Sequence, residues 1–315
     1  MSSLIAVDLG ATNLRVALFT RDQPPAAELI KVPTCASEGP DAVIERMIEA
    51  IHKVLPKKHQ DLRIGVGSPG PLDPTEGVIL STPNMPGWQN IPLCARLQDH
   101  FSCPVMLEND ANLAALGEWR HGAAQGTQNM IYLTISTGIG GGAIVDGKLL
   151  RGARGMAGEL GHMTVQTDGS ECGCGQRGHL EAIAAGPAIA RNVLQRLEMG
   201  ENSILTEMVP ESELLTAAHV GVAARKEDPL ALEVVSEAAR HIGRHLASLV
   251  HALNPELIVL GGGVSSIGEP FFDVIEQTIG EHVMHPAFVE QLRLLPAKLG
   301  DEAGLVGAMV MASQA

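Results

Sequence analysis

Aromatic residues are scarce: Phe, Trp and Tyr make up 3% of the 315 residues, with one tyrosine and two tryptophans. A lectin or glycosidase that stacks sugar rings on flat side chains is therefore disfavoured, and a polar pocket would have to be built from Asn, Asp, Glu and His. Positive charge is the minority sign. With 22 Lys and Arg against 36 Asp and Glu the net charge is −14, and no basic patch offsets it, so a phosphate-backbone partner would be repelled at long range and nucleic acid is not expected to bind. Long hydrophobic runs are missing too; none approaches the roughly 20 residues that span a bilayer, so no membrane association is expected. The opening MSSLIAVDLG has no basic segment, and Asp8 breaks its apolar run, so no secretory leader is expected and the cytoplasm is the expected compartment. The five cysteines (Cys35, Cys94, Cys103, Cys172, Cys174) are an odd number and cannot all pair within the chain. The close spacing of Cys172 and Cys174 suggests a metal site rather than a disulfide framework.

What is present points to about two α/β domains. Leu4 to Val7 and Leu14 to Phe19 read as strands around the turn Asp8-Leu9-Gly10-Ala11-Thr12-Asn13. The pattern recurs at Ile131 to Ile135, Ser136 to Gly142 and Ala143 to Val145, which suggests duplicated lobes. Between them, helical periodicity covers Asp41 to Val54 and Leu113 to Trp119, Arg63 to Val66 is a short strand, and Ser68 to Pro92, rich in Pro, Gly and Asn, is expected to be a long functional loop. The small-residue stretch His121 to Gln128 is the expected boundary. Farther on, Pro187 to Leu197 is helical, and Leu232, Val235, Ala239, Ile242, Leu246, Leu249 and Leu253 define one buried stripe of a long helix. A strand at Leu257 to Leu260 runs into Gly261-Gly262-Gly263, and an apolar helix, Ala303 to Ala312, closes the chain. Strands alternating with helices indicate an α/β fold.

Three glycine turns follow strands. The first offers backbone N–H groups, the Thr12 hydroxyl and the Asn13 amide, with Asp8 placed to hold Mg²⁺ through water; the alternative is a plain hairpin turn. Neither a Walker A loop nor a Rossmann fingerprint fits, because no Gly-Lys-Ser/Thr follows and the next element is a strand. The run Ser136 to Gly142 and the triplet at 261–263 spend so much backbone entropy that close approach of a ligand is the better explanation, which favours nucleotide binding. Asp110, in Glu108-Asn109-Asp110, is read either as a helix cap or as a base that accepts a substrate hydroxyl proton during phosphoryl transfer. Glu159, His162 and Glu181 are candidates to bind sugar hydroxyls, against ordinary surface positions.

These ordered motifs, together with Gly158-Glu159-Leu160-Gly161-His162 and Cys172-Gly173-Cys174-Gly175-Gln176-Arg177-Gly178-His179-Leu180-Glu181, resemble the ROK family of sugar kinases over essentially the whole chain. The likeness is greatest to its glucose-phosphorylating bacterial members. It implies a two-lobed actin-like ATPase (ribonuclease H-like) α/β fold with the active site in the cleft between lobes. The expected lobes are a small one at 1–120, to which a C-terminal helix at about 301–315 is a candidate to return, and a large one at 121–300 carrying a zinc knuckle.

By position, the resemblance makes Asp110 the base and places Gly70, Asn84, Asn109, Glu159, His162 and Glu181 around the sugar. ATP phosphates would meet Asp8, Gly10, Ala11, Thr12, Asn13, Thr137 and Gly138, with Gly262 and Gly263 near the adenosine and Mg²⁺ as catalytic cofactor. The implied activity is ATP-dependent phosphorylation of glucose to glucose 6-phosphate by a homodimer. N-acetylmannosamine, N-acetylglucosamine or fructose are alternative substrates, and ADP or polyphosphate alternative donors. The family's repressors carry a helix-turn-helix domain before the first turn, whereas only seven residues precede Asp8 here, so a repressor is not expected. The family's knuckle reads Cys-x-Cys-Gly-x-x-Gly-Cys-x-Glu with an upstream histidine. Here His179 stands in the third cysteine's place, leaving either a structural Zn²⁺ on His162, Cys172, Cys174 and His179 or a lost site. In the first case the other nitrogen of His162 would orient the sugar.

Overall fold

A computed structural model describes residues 2–57, 60–82, 84–210 and 213–314. Short apolar runs build an antiparallel β1 (Ser2–Leu9) and β2 (Asn13–Phe19), in which Asp8 faces Arg15 and Leu9 faces Leu14. β3 (Glu28–Pro33) extends this meander, and β4 (Gln60–Ser68) joins β1 in parallel. The stretch expected to be loop instead holds a small antiparallel sheet of β5 (Leu72–Asp73), β6 (Val78–Ser81) and β7 (Gln89–Ile91). Its strands are too short to show a period of two. Pro83 lies outside the described residues. β8 (Val105–Asn109) completes a five-stranded sheet of order β3-β2-β1-β4-β8. Helices α1 (Pro40–Val54), α2 (Leu93–Phe101) and α3 (Asp110–His121) accompany it, and Val7, Val16, Ile44, Met47, Ile51, Ile64 and Trp88 belong to one buried core.

The second half repeats the scheme. β9 (Met130–Ile135), β10 (Ile139–Val145), β11 (Lys148–Leu149), β12 (Leu257–Gly261) and β13 (Arg293–Pro296) are ordered β11-β10-β9-β12-β13. In each sheet the order is third, second, first, fourth, fifth. Helices α4 (Leu180–Ala184), α5 (Gly186–Glu198), α6 (Leu205–Met208), α7 (Ala217–Arg225), α8 (Pro229–Leu253) and α9 (Glu269–His282) belong to this half, and α10 (Ala303–Ser313) ends the chain. Asp228 caps α8 by accepting the Ala231 N–H at 2.9 Å. Of the predicted stripe, Val235, Ala239, Ile242, Leu246 and Leu249 are buried, while Leu232 and Leu253 are half-buried. No helix of the described residues is long and apolar enough to cross a membrane.

Two compact units result: Met1–Thr127 with Gly142–Gly158 and Lys298–Ala315, and Gln128–Gly141 with Glu159–Ala297. The division differs from a 1–120 and 121–300 split, because the segment Gly142–Gly158, like the C-terminal stretch Lys298–Ala315, is grouped with the first unit. That return is held by contacts invisible in local sequence: Arg151 donates to Glu108 at 2.6 Å and the Asn112 amide to the Ala157 carbonyl at 3.4 Å. Within the first unit α10 lies against α3 closely enough that a Cβ on Gly307 would run into the Leu113 carbonyl, and one on Gly117 into the Ala303 carbonyl.

Candidate active site

In the first unit the parallel ladder aligns Asp8 with Gly67 and Gly67 with Glu108. The carboxyl ends of β1, β4 and β8 therefore stand side by side, where open α/β sheets bind ligands. The turn Gly10–Asn13 leaves the first strand, Gly70 follows the second by two residues, and Asn109 ends the third with Asp110 opening α3. Eight of the predicted positions, Asp8, Gly10, Ala11, Thr12, Asn13, Gly70, Asn109 and Asp110, are gathered by this register. Asn84 is exposed between β6 and β7, and no hydrogen bond among the described residues ties it to these strand ends.

Asp8 is engaged by a residue that the motif reading passed over. Its Oδ2 accepts Arg15 Nε at 2.7 Å and a second guanidinium nitrogen at 2.6 Å, and the same arginine donates to the Asp301 carbonyl. Oδ1 accepts no hydrogen bond among the described residues, which leaves it to a hydrated cation, so the carboxylate fits the Mg²⁺ role. The pairing of Asp8 with Arg15 across the two strands could have signalled this link, had register been known.

At the third strand end, the cap of α3 is Asn109. Its Oδ1 accepts the N–H groups of Ala111 and Asn112 at 2.9 and 3.2 Å. Asp110 is exposed at the first helical position and accepts the Ala111 N–H at 2.8 Å through Oδ1. The cap reading of Asp110 is thus corrected: a residue already in helical geometry cannot reach the N–H groups two and three positions ahead as Asn109 does. Behind both lies Glu108, fully buried, which accepts from the Asn109 N–H, the Asn112 amide and Arg151.

In the second unit Gly261 pairs with Thr134, so the Ser136-Thr137-Gly138 turn after β9 and Gly262-Gly263 after β12 share one strand end. A Cβ on Gly262 would collide with the Ile135 carbonyl. Thr137 is exposed. Glu181, in the first turn of α4, ties this turn to the knuckle: its Oε2 accepts the Ile139 N–H at 2.9 Å while Oε1 lies 3.6 Å from Cys172 Sγ. Glu181 Oε2 also lies 2.5 Å from where a Gly138 Cβ would stand, so a side chain there would displace this carboxylate. Glu159 is exposed at the start of the short turn Leu160–His162.

The knuckle places Nδ1 of His162 3.6 Å from Cys172 Sγ and Nδ1 of His179 3.3 Å from Cys174 Sγ, and the four ligand atoms lie within 4.8 Å of one another. A tetrahedral ion with Zn–S of about 2.3 Å and Zn–N of about 2.0 Å has S···N edges near 3.5 Å. The donor set fits Zn²⁺. Burial pushes the Cys172 thiol up to about 11, a cost that a coordinated cation removes by deprotonating the sulfur.

Two α/β units of like strand order, each with a glycine turn after its first strand, define a two-lobed actin-like sugar-kinase fold. The chain belongs to the ROK family, whose profile matches residues 4–315. It is 36% identical over 305 residues to a glucokinase of Thermotoga maritima, covering 97% of this chain and 95% of that one. Among solved structures, a ROK hexokinase from Thermus thermophilus is 37% identical with a TM-score of 0.83, covering 99% of this chain and 98% of that one. A ROK glucokinase from Streptomyces griseus in complex with glucose and AMPPNP is 33% identical with a TM-score of 0.85, covering 100% of both chains.

Proposed function

We propose that the protein transfers the γ-phosphoryl group of ATP to the 6-hydroxyl of glucose, giving glucose 6-phosphate and ADP. The observation that carries the reading is the exposed Asp110 carboxylate, relieved of capping by Asn109 and set at the strand ends beside Asp8. Likeness over full length to a glucokinase that binds glucose and AMPPNP supports the choice of sugar and donor.

In this reaction the sugar O6 forms a bond to the γ-phosphorus as the bond to the β,γ-bridging oxygen breaks, and the hydroxyl proton passes to Asp110. The N–H groups of the Gly10–Asn13 and Thr137–Gly138 turns hold phosphate oxygens, Asp8 holds hydrated Mg²⁺, and Gly262 and Gly263 leave room for the adenosine. Gly70, Asn84, Asn109, Glu159, His162 and Glu181 bind sugar hydroxyls. Asn109 would do so through its amide nitrogen, since its oxygen is committed to the cap. His162, Cys172, Cys174 and His179 would hold a structural Zn²⁺, which would fix the ring of His162. The reading extends to a cytoplasmic homodimer.

The test is a coupled assay of purified protein with ATP, ADP and polyphosphate against glucose, fructose, N-acetylglucosamine and N-acetylmannosamine. Glucose with ATP is expected to give the highest kcat/KM. An acetamido sugar or fructose in first place would reassign the substrate within the family.

A further inference from the structure

Thr34 is buried one residue beyond the end of β3, and it has no place in the roles given above. Its three polar groups are all used. The hydroxyl donates to the Gly10 carbonyl at 2.6 Å, the backbone N–H donates to the Thr12 carbonyl at 2.9 Å, and its own carbonyl accepts from Arg46 of α1 at 2.7 Å. Arg46 is in turn fixed by Glu38. Within the turn itself the Gly10 N–H bonds the Asn13 carbonyl at 3.0 Å, while the N–H groups of Ala11 and Thr12 go to no acceptor among the described residues.

A trans peptide is planar, with its C=O and N–H pointing opposite ways. Drawing the Gly10 oxygen toward Thr34 therefore aims the Ala11 N–H away from Thr34, and drawing in the Thr12 oxygen does the same for the Asn13 N–H. The carbonyls that would repel a phosphate are taken up on one side, and donors are left on the other, the arrangement of an anion-binding nest. We infer that Thr34, latched by Arg46, is a positioning residue for nucleotide binding that sorts the first glycine turn into a surface of donors. The inference rests on the kinase reading only in taking that turn's anion to be a nucleotide phosphate.

The experiment compares the wild type with Thr34→Val, which keeps shape and loses the hydroxyl, and Thr34→Ser, which restores it. AMPPNP affinity without sugar is measured alongside KM for ATP and for glucose. Thr34→Val is expected to weaken AMPPNP binding and raise KM for ATP by about three- to tenfold, with KM for glucose changed by less than about twofold and Thr34→Ser close to wild type. Unchanged AMPPNP affinity in Thr34→Val, or ATP and glucose KM values rising together, would overturn the inference. Should Thr34→Val fail to fold, Arg46→Met is expected to weaken AMPPNP in the same sense; no weakening there overturns it equally. A wild type that binds AMPPNP but phosphorylates no sugar would refute the proposed reaction while leaving the role of Thr34 to stand or fall on the binding data.

Discussion

Asn109 caps the helix that Asp110 opens, so the Asp110 carboxylate stands outside the cap. Asn109→Ala removes acceptors for two N–H groups and is expected to cost about 1 kcal/mol in stability. Asp110→Asn keeps size and the weak bond to Ala111 but cannot take a proton; kcat should fall by about 10² to 10⁴ while the melting temperature holds. Turnover near wild type in Asp110→Asn would remove it from the mechanism, and a large loss of stability would restore it to the cap.

Sugar preference tests the pocket. If Asn109, Glu159, His162 and Glu181 pair with glucose hydroxyls, a misplaced hydroxyl leaves polar groups without partners. The kcat/KM for fructose is then expected to be at least about tenfold below that for glucose. Equal values in a steady-state panel would mean that these residues do not read the ring.

The elements set by local pattern are legible in the sequence. The β1 and β2 hairpin, the α8 stripe and the Cys172 and Cys174 pair depend on near neighbours and residue type, whereas His162 and His179 joined that pair through the family resemblance. What escaped depends on distant chain. Strands of two to four residues among prolines, such as Leu72–Asp73, carry no periodic signal. Glu108 finds Arg151 43 residues away, and Arg15 finds the Asp301 carbonyl 286 residues away. Asn109 displaced Asp110 as cap because the helix starts three residues before its first predicted position, Leu113, and apolar periodicity cannot see a polar first turn.

The Glu108 and Arg151 pair anchors the returning segment to the strand end beside Asp110. Its carboxylate is fully buried, whereas the arginine is 45% exposed, so solvent screens part of the attraction. Arg151→Met is expected to cost about 1 to 3 kcal/mol by urea unfolding, mostly as the penalty of an underpaired buried carboxylate. Glu108→Gln, which leaves a neutral group in place, should relieve part of that cost in the double variant. A strictly additive double variant would deny the coupling.

Zinc content separates the two readings of His179. One ion per chain is expected by elemental analysis. His179→Ala should lower both metal content and glucose affinity, because His162 and Glu181, both assigned to the sugar, lie against Cys172 of the knuckle. His179→Cys should keep both. A metal-free wild type with full glucose kinase activity would leave the knuckle vestigial.

Stability should also depend on acid through His245. This side chain lies on α8, only 3% exposed, its Nε2 has no hydrogen-bond partner among the described residues, and burial lowers its pKa from 6.5 to about 4. The native state holds it neutral, whereas the unfolded chain takes up a proton below about pH 6.5. Stability is therefore full above that pH and withdrawn as pH falls toward about 4, by roughly 3 kcal/mol in all at about 1.4 kcal/mol per pKa unit. Carboxylates titrate over part of the same range, so the useful quantity is a difference of differences. Between pH 7.5 and pH 5.0 in urea, the wild type is expected to lose about 2 kcal/mol more than His245→Leu, in which nothing at that position can charge. Equal losses in the two proteins would mean that His245 accepts its proton in the native helix.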